Sequence, residues 1–138
     1  GDILVKSSNL KSIKIEKDSI PMVIDEIPIL SLACALAEGT SEVLDAGELR
    51  FKESDRIRTT VSELRKLGSD IEETDDGILI KGKDNLKGSD CESHMDHRIA
   101  MMIAIAGTIA KGVTSIKEPE CVSISFPNFF ETLNNFRK

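Results

Sequence analysis

The segment Arg50-Phe51-Lys52-Glu53-Ser54-Asp55-Arg56 interleaves cations and carboxylates directly ahead of a helical pattern. Unpaired N–H groups already make the start of a helix electrically positive. Glu53, Ser54 and Asp55 suit that place, whereas Lys52 and Arg56 work against it. A chain that keeps cations there is expected to hold an anion. The pattern recurs at Asp96-His97-Arg98, where Asp96 suits an N-cap and the two basic residues follow in the first turn. Solvent screens misplaced surface charges, so either cluster alone is compatible with an ordinary wet surface. Two of them point to a site that receives more than one anionic group. Arginine would grip a phosphate or carboxylate bidentately and lysine as a point charge.

The elements that position these residues can be read from periodicity. Ile57, Val61, Leu64 and Leu67 recur at steps of three and four, and Gly68 stops the run. That spacing predicts a helix over 54–67 with Arg58, Thr59, Ser62, Glu63, Arg65 and Lys66 on its outer face. The runs 27–37 and 99–110 are apolar on nearly every side, so both are expected as buried helices. Asp25, ahead of Pro28, reads from its position as the N-cap of the first of these. Strands are expected over 70–73 and 78–81, joined by Asp75-Asp76-Gly77, a hairpin signal.

The chain also repeats itself. Ala37-Glu38-Gly39 resembles Ala110-Lys111-Gly112, Asp2–Lys6 resembles Gly77–Lys81, and Asn9-Leu10-Lys11 resembles Asn85-Leu86-Lys87. Each copy reads strand, buried helix, strand, amphipathic helix. The second amphipathic helix is expected over 127–136, without a closing hairpin after it. The first residues look like the closing strands of an earlier unit. This is an α/β pattern of repeated βαβαββ units, with sheets outside and helices within. We expect a single domain, 1–138, made of incomplete repeats at about 1–81 and 82–138, from a longer repeat protein.

Composition narrows the function. The 138 residues are 40% hydrophobic and 30% charged, which suits a globular domain. Net charge is −6, and Trp and Tyr are absent, which argues against nucleic acid and against an anionic membrane. Neither apolar run reaches the roughly 20 residues needed to span a bilayer. Cys34, Cys91 and Cys121 are odd in number and widely spaced, so no disulfide framework is expected and a reducing cytoplasm fits. Gly1–Leu4 opens on strand-like sequence rather than a targeting segment. Cys91, His94 and His97 are spaced like metal ligands, but the set is incomplete, and neither a metal nor a cofactor is expected.

Five segments carry a resemblance. Asp25-Glu26-Ile27-Pro28-Ile29, Ala37-Glu38-Gly39, Leu49–Ile57, Asp96-His97-Arg98-Ile99-Ala100-Met101 and Ser125-Phe126-Pro127 occur in the order found in the 5-enolpyruvylshikimate-3-phosphate synthases. The chain resembles the C-terminal part of such an enzyme through nearly its whole length. The resemblance implies an inside-out barrel of βαβαββ units in two globes, with the active site in the cleft between them. It implies transfer of the carboxyvinyl group of phosphoenolpyruvate to the 5-hydroxyl of shikimate 3-phosphate, with release of phosphate.

By that resemblance, Asp25 takes and returns the hydroxyl proton, and Glu53 is the proton partner of the methylene carbon. Lys52 contacts shikimate 3-phosphate, Arg56 and Arg98 bind phosphoenolpyruvate, and His97 lies alongside. Cations near Glu53 favour its charged form, so bound anions are expected to offset them before it donates a proton. One departure is visible. Some members carry Lys just before the Ser/Thr-Phe/Tyr-Pro step, where this chain has Ile124. Two other functions remain open at this point, a UDP-N-acetylglucosamine enolpyruvyl transferase and a non-catalytic anion-binding module. Lys52-Glu53-Ser54-Asp55-Arg56 favours the shikimate enzyme. The isolated piece is expected to be inactive and to self-associate along the edge that a neighbouring unit would cover.

Overall fold

The computed structural model describes residues 1–83 and 85–136. Chain order is β1 (Lys14–Ile15), α1 (Ile20–Val23), α2 (Ile27–Ala35), β2 (Thr40–Val43), a 3-10 turn (Gly47–Phe51), α3 (Arg56–Lys66), β3 (Asp70–Glu73), β4 (Ile78–Lys81), β5 (Asp90–Glu92), α4 (His97–Ile109), β6 (Ser115–Lys117), a second 3-10 turn (Pro119–Ile124) and α5 (Phe129–Asn135). The architecture is mixed α/β. Residues 84, 137 and 138 of the second expected repeat lie outside the described residues.

Four strands form one sheet in the order β1-β2-β4-β3. β1 runs parallel to β2, while β2–β4 and β3–β4 are antiparallel. The hairpin forms where the Asp-Gly step predicts it. Asp70 faces Lys81, Glu73 faces Ile78, and the Thr74 amide donates to the Gly77 carbonyl at 3.0 Å. Gly77 is required by space rather than by φ, because a Cβ there would collide with the Val43 carbonyl. β5 and β6 form a second, parallel pair.

Helices α2, α3 and α4 pack against one another, and β4 and β5 lie over them. Along β4 the side chains of Ile78 and Ile80 point inward to full burial, and those between them face out. This is the period-2 pattern of a sheet with one wet face. Ile27, Leu49, Ile57, Leu64, Leu67, Ile99, Met102 and Ile103 fill the core at 3% exposure or less. A smaller cluster joins Ala100 and Ala104 of α4 to Cys121, Val122 and Phe129.

The two halves share backbone geometry. The offset that carries Gly39 to Gly112 also carries Asp45 to Glu118. Both glycines take a left-handed φ (98° and 102°), and both acidic residues sit at φ 55°. Isolated parallel bridges, Lys11 with Glu38 and Lys87 with Lys111, join the Asn-Leu-Lys and Ala-x-Gly segments of each copy in the same way.

Three expectations are revised. The first residues form no strand, and Ile3, Leu4 and Val5 are at least 80% exposed, because a strand needs a ladder partner and the described residues offer none. α2 is not apolar to the core on every side, since Ile29 is 38% exposed and Ala33 half-buried. On α3, Glu63 is buried rather than outward-facing, because Glu92 and His94 close over it, and Thr59 is buried with its hydroxyl on Ser54 and the Asp55 carbonyl.

Candidate functional site

α3 starts where its cap allows. Asp55 is the N-cap and accepts from the Arg58 amide at 3.1 Å. At the other end, Leu67 is followed by Gly68 at φ 90°. The Gly68 amide donates to the Arg65 carbonyl and the Ser69 amide to that of Leu64, the paired closure of a Schellman motif. Arg50, ahead of the helix, is held by the protein itself. Its guanidinium donates to Asp55 and Glu73, both at 2.9 Å, and to the Thr74 and Asp75 carbonyls. It therefore ties the helix start to the β3–β4 hairpin.

Arg56, the first residue of α3, turns inward and is 1% exposed. Nε donates to Asp96 Oδ2 at 2.8 Å, Nη1 to Asp25 Oδ1 at 2.8 Å and Nη2 to Glu53 Oε2 at 2.5 Å. Three carboxylates from three segments thus share one guanidinium. Burial alone would lower the Arg56 pKa, but the bonds to these carboxylates, Asp96 foremost, hold it above its usual value.

Asp96 has no exposed surface. It caps α4 by accepting from the Arg98 amide at 2.9 Å, and also accepts from Ser54 Oγ at 2.9 Å. Burial would raise its pKa. The hydrogen bond and charge of Arg56, with Ser54 and the Arg98 amide, hold it below the usual carboxylate range instead. The capping residue read from the sequence is therefore also the inner anchor of Arg56.

Asp25 joins the two arginines. Its Oδ1 accepts from Arg56, and its Oδ2 accepts from Arg98 Nη2 at 3.1 Å. With both oxygens so engaged it does not cap α2. The N-cap is Glu26, which makes no side-chain cap bond, so the cap reading of Asp25 is corrected. Desolvation raises the Asp25 pKa, but the Arg56 bond and the charges of Arg98, Arg56 and Lys52 outweigh it and hold the group ionised.

The cations do converge, but not as a self-repelling pocket. Arg56 and Arg98 are set against Asp25, Glu53, Asp96 and Glu26, and Lys52 against Glu48, so the cations are paired within the protein. The partners differ in accessibility. Asp96 is sealed, whereas the Asp25 and Glu53 side chains are 44% and 51% exposed. Those two therefore form the solvent-facing side of the cluster. Arg98 is half-buried, and its Nε is enclosed with no partner among the described residues. Lys52 Nζ stands 3.4 Å from Glu48. His97 opens α4, half-buried, and makes no side-chain hydrogen bond among the described residues.

Beside Arg98 lies a cleft of about 240 Å³ walled by Pro28, Ile29, Met101 and Phe126, with Asp25 at its mouth. A larger groove of about 560 Å³, between Ser8–Leu10 and Leu36–Gly39, brings no arginine or histidine together and is remote from this chemistry. Cys91 and His94 do not meet His97 as ligands. Cys91 is buried in β5, and His94 Nε2 binds Glu63 Oε1 at 2.8 Å.

The buried ionic roles of Asp96 and Glu63 escaped the sequence reading. Asp96 had a capping signal that hid its second role. Glu63 had one weak local signal, Lys66 three residues on, which now bonds both its oxygens.

A repeated sheet-and-helix layout in which paired arginines hold carboxylates from separate segments defines an α/β domain with a partly exposed ionic cluster. Comparison with known proteins makes the assignment particular. The family model described as EPSP synthase (3-phosphoshikimate 1-carboxyvinyltransferase) matches residues 1–133. The whole chain aligns at 53% identity with the 3-phosphoshikimate 1-carboxyvinyltransferase of Bacillus cereus (strain ATCC 10987 / NRS 248) and at 50% with that of Alkaliphilus oremlandii, covering 32% of each. Among solved structures, EPSP synthase from Acinetobacter baumannii superposes on 92% of this chain with TM-score 0.87 and 42% identity, over 30% of its own length. The chain belongs to the EPSP synthase family. It spans about a third of the length of the curated relatives it matches.

Proposed function

We propose that this chain supplies one wall of the active site of a 3-phosphoshikimate 1-carboxyvinyltransferase, acting on phosphoenolpyruvate and shikimate 3-phosphate. The observation that carries the reading is Asp25 bridging Arg56 and Arg98, with Glu53 on the same guanidinium. Arg56 and Arg98 receive the phosphate and carboxylate of phosphoenolpyruvate, with His97 at the same helix start. Lys52 meets shikimate 3-phosphate. Two relatives and the family description bear this reaction's name, which favours it over the UDP-N-acetylglucosamine transferase.

In the first half-reaction the 5-hydroxyl oxygen bonds to C2 of phosphoenolpyruvate while C3 gains a proton. The hydroxyl proton leaves to Asp25, and the C3 proton comes from Glu53. In the second half, C3 returns a proton to Glu53, the C2–O bond to phosphate breaks, and Asp25 gives its proton to the departing phosphate. Asp25, held ionised by Arg56 and Arg98, starts in the proton-accepting state. An anion that takes over those guanidinium groups removes what depresses its pKa and makes it a stronger base. Substrate binding thus prepares the base. Three thiols, all free and buried, fit a reducing compartment, and we place the chain in the cytoplasm.

Turnover tests this in the full-length protein that carries these residues. Product should form with shikimate 3-phosphate and not with UDP-N-acetylglucosamine, and Glu53→Gln should lower kcat by about 100-fold or more. Normal turnover by Glu53→Gln would remove Glu53 from the mechanism.

A further inference from the structure

Glu63 lies two helical turns after Arg56 and points the same way, because seven residues return to nearly the same helix face. It is fully buried. Its Oε1 accepts from Lys66 Nζ and from His94 Nε2, both at 2.8 Å, so His94 carries its proton on Nε2. Its Oε2 accepts from Lys66 at 2.9 Å and from the Glu92 amide at 3.0 Å. α3 therefore grips the segment from β5 to α4 twice, through Glu63 on Glu92 and His94, and through Arg56 on Asp96.

That segment is under backbone strain. His94 and Met95 both occupy the left-handed region, at φ 53° and 58°, where residues with a Cβ are disfavoured. Strained non-glycine pairs persist only when their surroundings fix them. Ser93 helps, since its Oγ accepts from the Met95 amide and donates to the Glu118 carbonyl. The contact that reaches a left-handed side chain itself is Glu63 to His94. Asp96, on which Arg56 and the start of α4 depend, comes directly after Met95, and Arg98 two positions later.

We propose that Glu63, acting through His94 and the Glu92 amide, is a positioning residue that sets the place of Asp96 and hence the mutual geometry of Arg56 and Arg98. The inference deepens the transferase reading and rests on it for its catalytic meaning, but its structural content can be read without turnover. Lys66 supplies the control. It neutralises Glu63 from the same helix and so touches the carboxylate without tethering the loop.

The experiment uses the full-length protein with arginine side chains labelled with 15N, and follows the Nε–H signals of Arg56 and Arg98 together with KM and kcat. His94→Ala should shift the Arg56 Nε–H signal, speed its exchange with solvent and lower kcat/KM by about 10-fold to 100-fold, mostly through KM for phosphoenolpyruvate. His94→Gln, whose amide can still donate to Glu63, should restore most of both. Lys66→Ala should leave the Arg56 and Arg98 signals in place. If His94→Ala leaves those signals unmoved, or if Lys66→Ala moves them equally, the positioning role is overturned. If wild-type protein turns over neither acceptor, the transferase reading falls, and the NMR arm still decides the tether.

Discussion

Removing Asp96 tests how the site is anchored. Asp96 and Arg56 form an ion pair at 2.8 Å with side-chain exposures of 0% and 1%. Truncating one partner of such a pair strands the other, at roughly 3–5 kcal/mol. Arg56 would keep Asp25 and Glu53, which are half-exposed and weaker anchors, so the lower end, about 3 kcal/mol, applies. Losing the α4 cap adds about 1 kcal/mol. Asp96→Ala should therefore cost about 4 kcal/mol, out of the 5–15 typical of a whole domain. With a urea slope of about 2 kcal/mol/M, the unfolding midpoint should fall by about 2 M. The chain has no Trp, so far-UV circular dichroism on dilute protein is the assay. Asp96→Asn keeps an acceptor without the charge and should lose about half as much. Its pH response should also change. The native carboxyl is held below its unfolded value of about 3.9, so it stabilises the fold fully above that pH and progressively less as pH falls through the depressed native value. Asp96→Asn should accordingly show a shallower loss of stability below about pH 4. A midpoint shift under about 0.5 M for Asp96→Ala would mean that the pair is worth no more than a surface contact and does not anchor the site.

Two further outcomes follow from burial. Cys34, Cys91 and Cys121 are buried, and desolvation, with the nearby Glu63 charge, pushes the Cys91 thiol up to about 11. Thiol titration at pH 8 should give almost no reaction in native protein and three equivalents after denaturation, and fast native labelling of Cys91 would contradict the packing. The exposed apolar residues Ile3, Leu4 and Val5, and separately Val113 at 86% exposure, should make the isolated chain self-associate. Sedimentation velocity at high concentration checks this, and a strictly monomeric boundary would count against it.

What the sequence disclosed was local. The stop at Gly68, the β3–β4 register and the Asp96 cap each depend on a few neighbouring residues with distinct turn or capping chemistry. The repeat was visible because it carries the same left-handed positions twice. What stayed hidden depended on distant partners. Nothing near Glu63 announces that Glu92 and His94 will close over it. Asp25 had the look of a cap and is instead claimed by arginines from α3 and α4, distant in the chain. The self-neutralised state of Arg56 was equally unreadable, since its carboxylates come from three separate segments.

In the proposed function, Arg56 and Arg98 exchange internal carboxylates for a substrate anion. Crystals of the protein soaked with phosphate would show that exchange itself. The account predicts one phosphate about 2.8 Å from both Arg98 and Arg56 Nη2, with Glu53 turned away from Arg56. Phosphate bound elsewhere, with the Arg56–Glu53 and Arg98–Asp25 pairs intact, would contradict it.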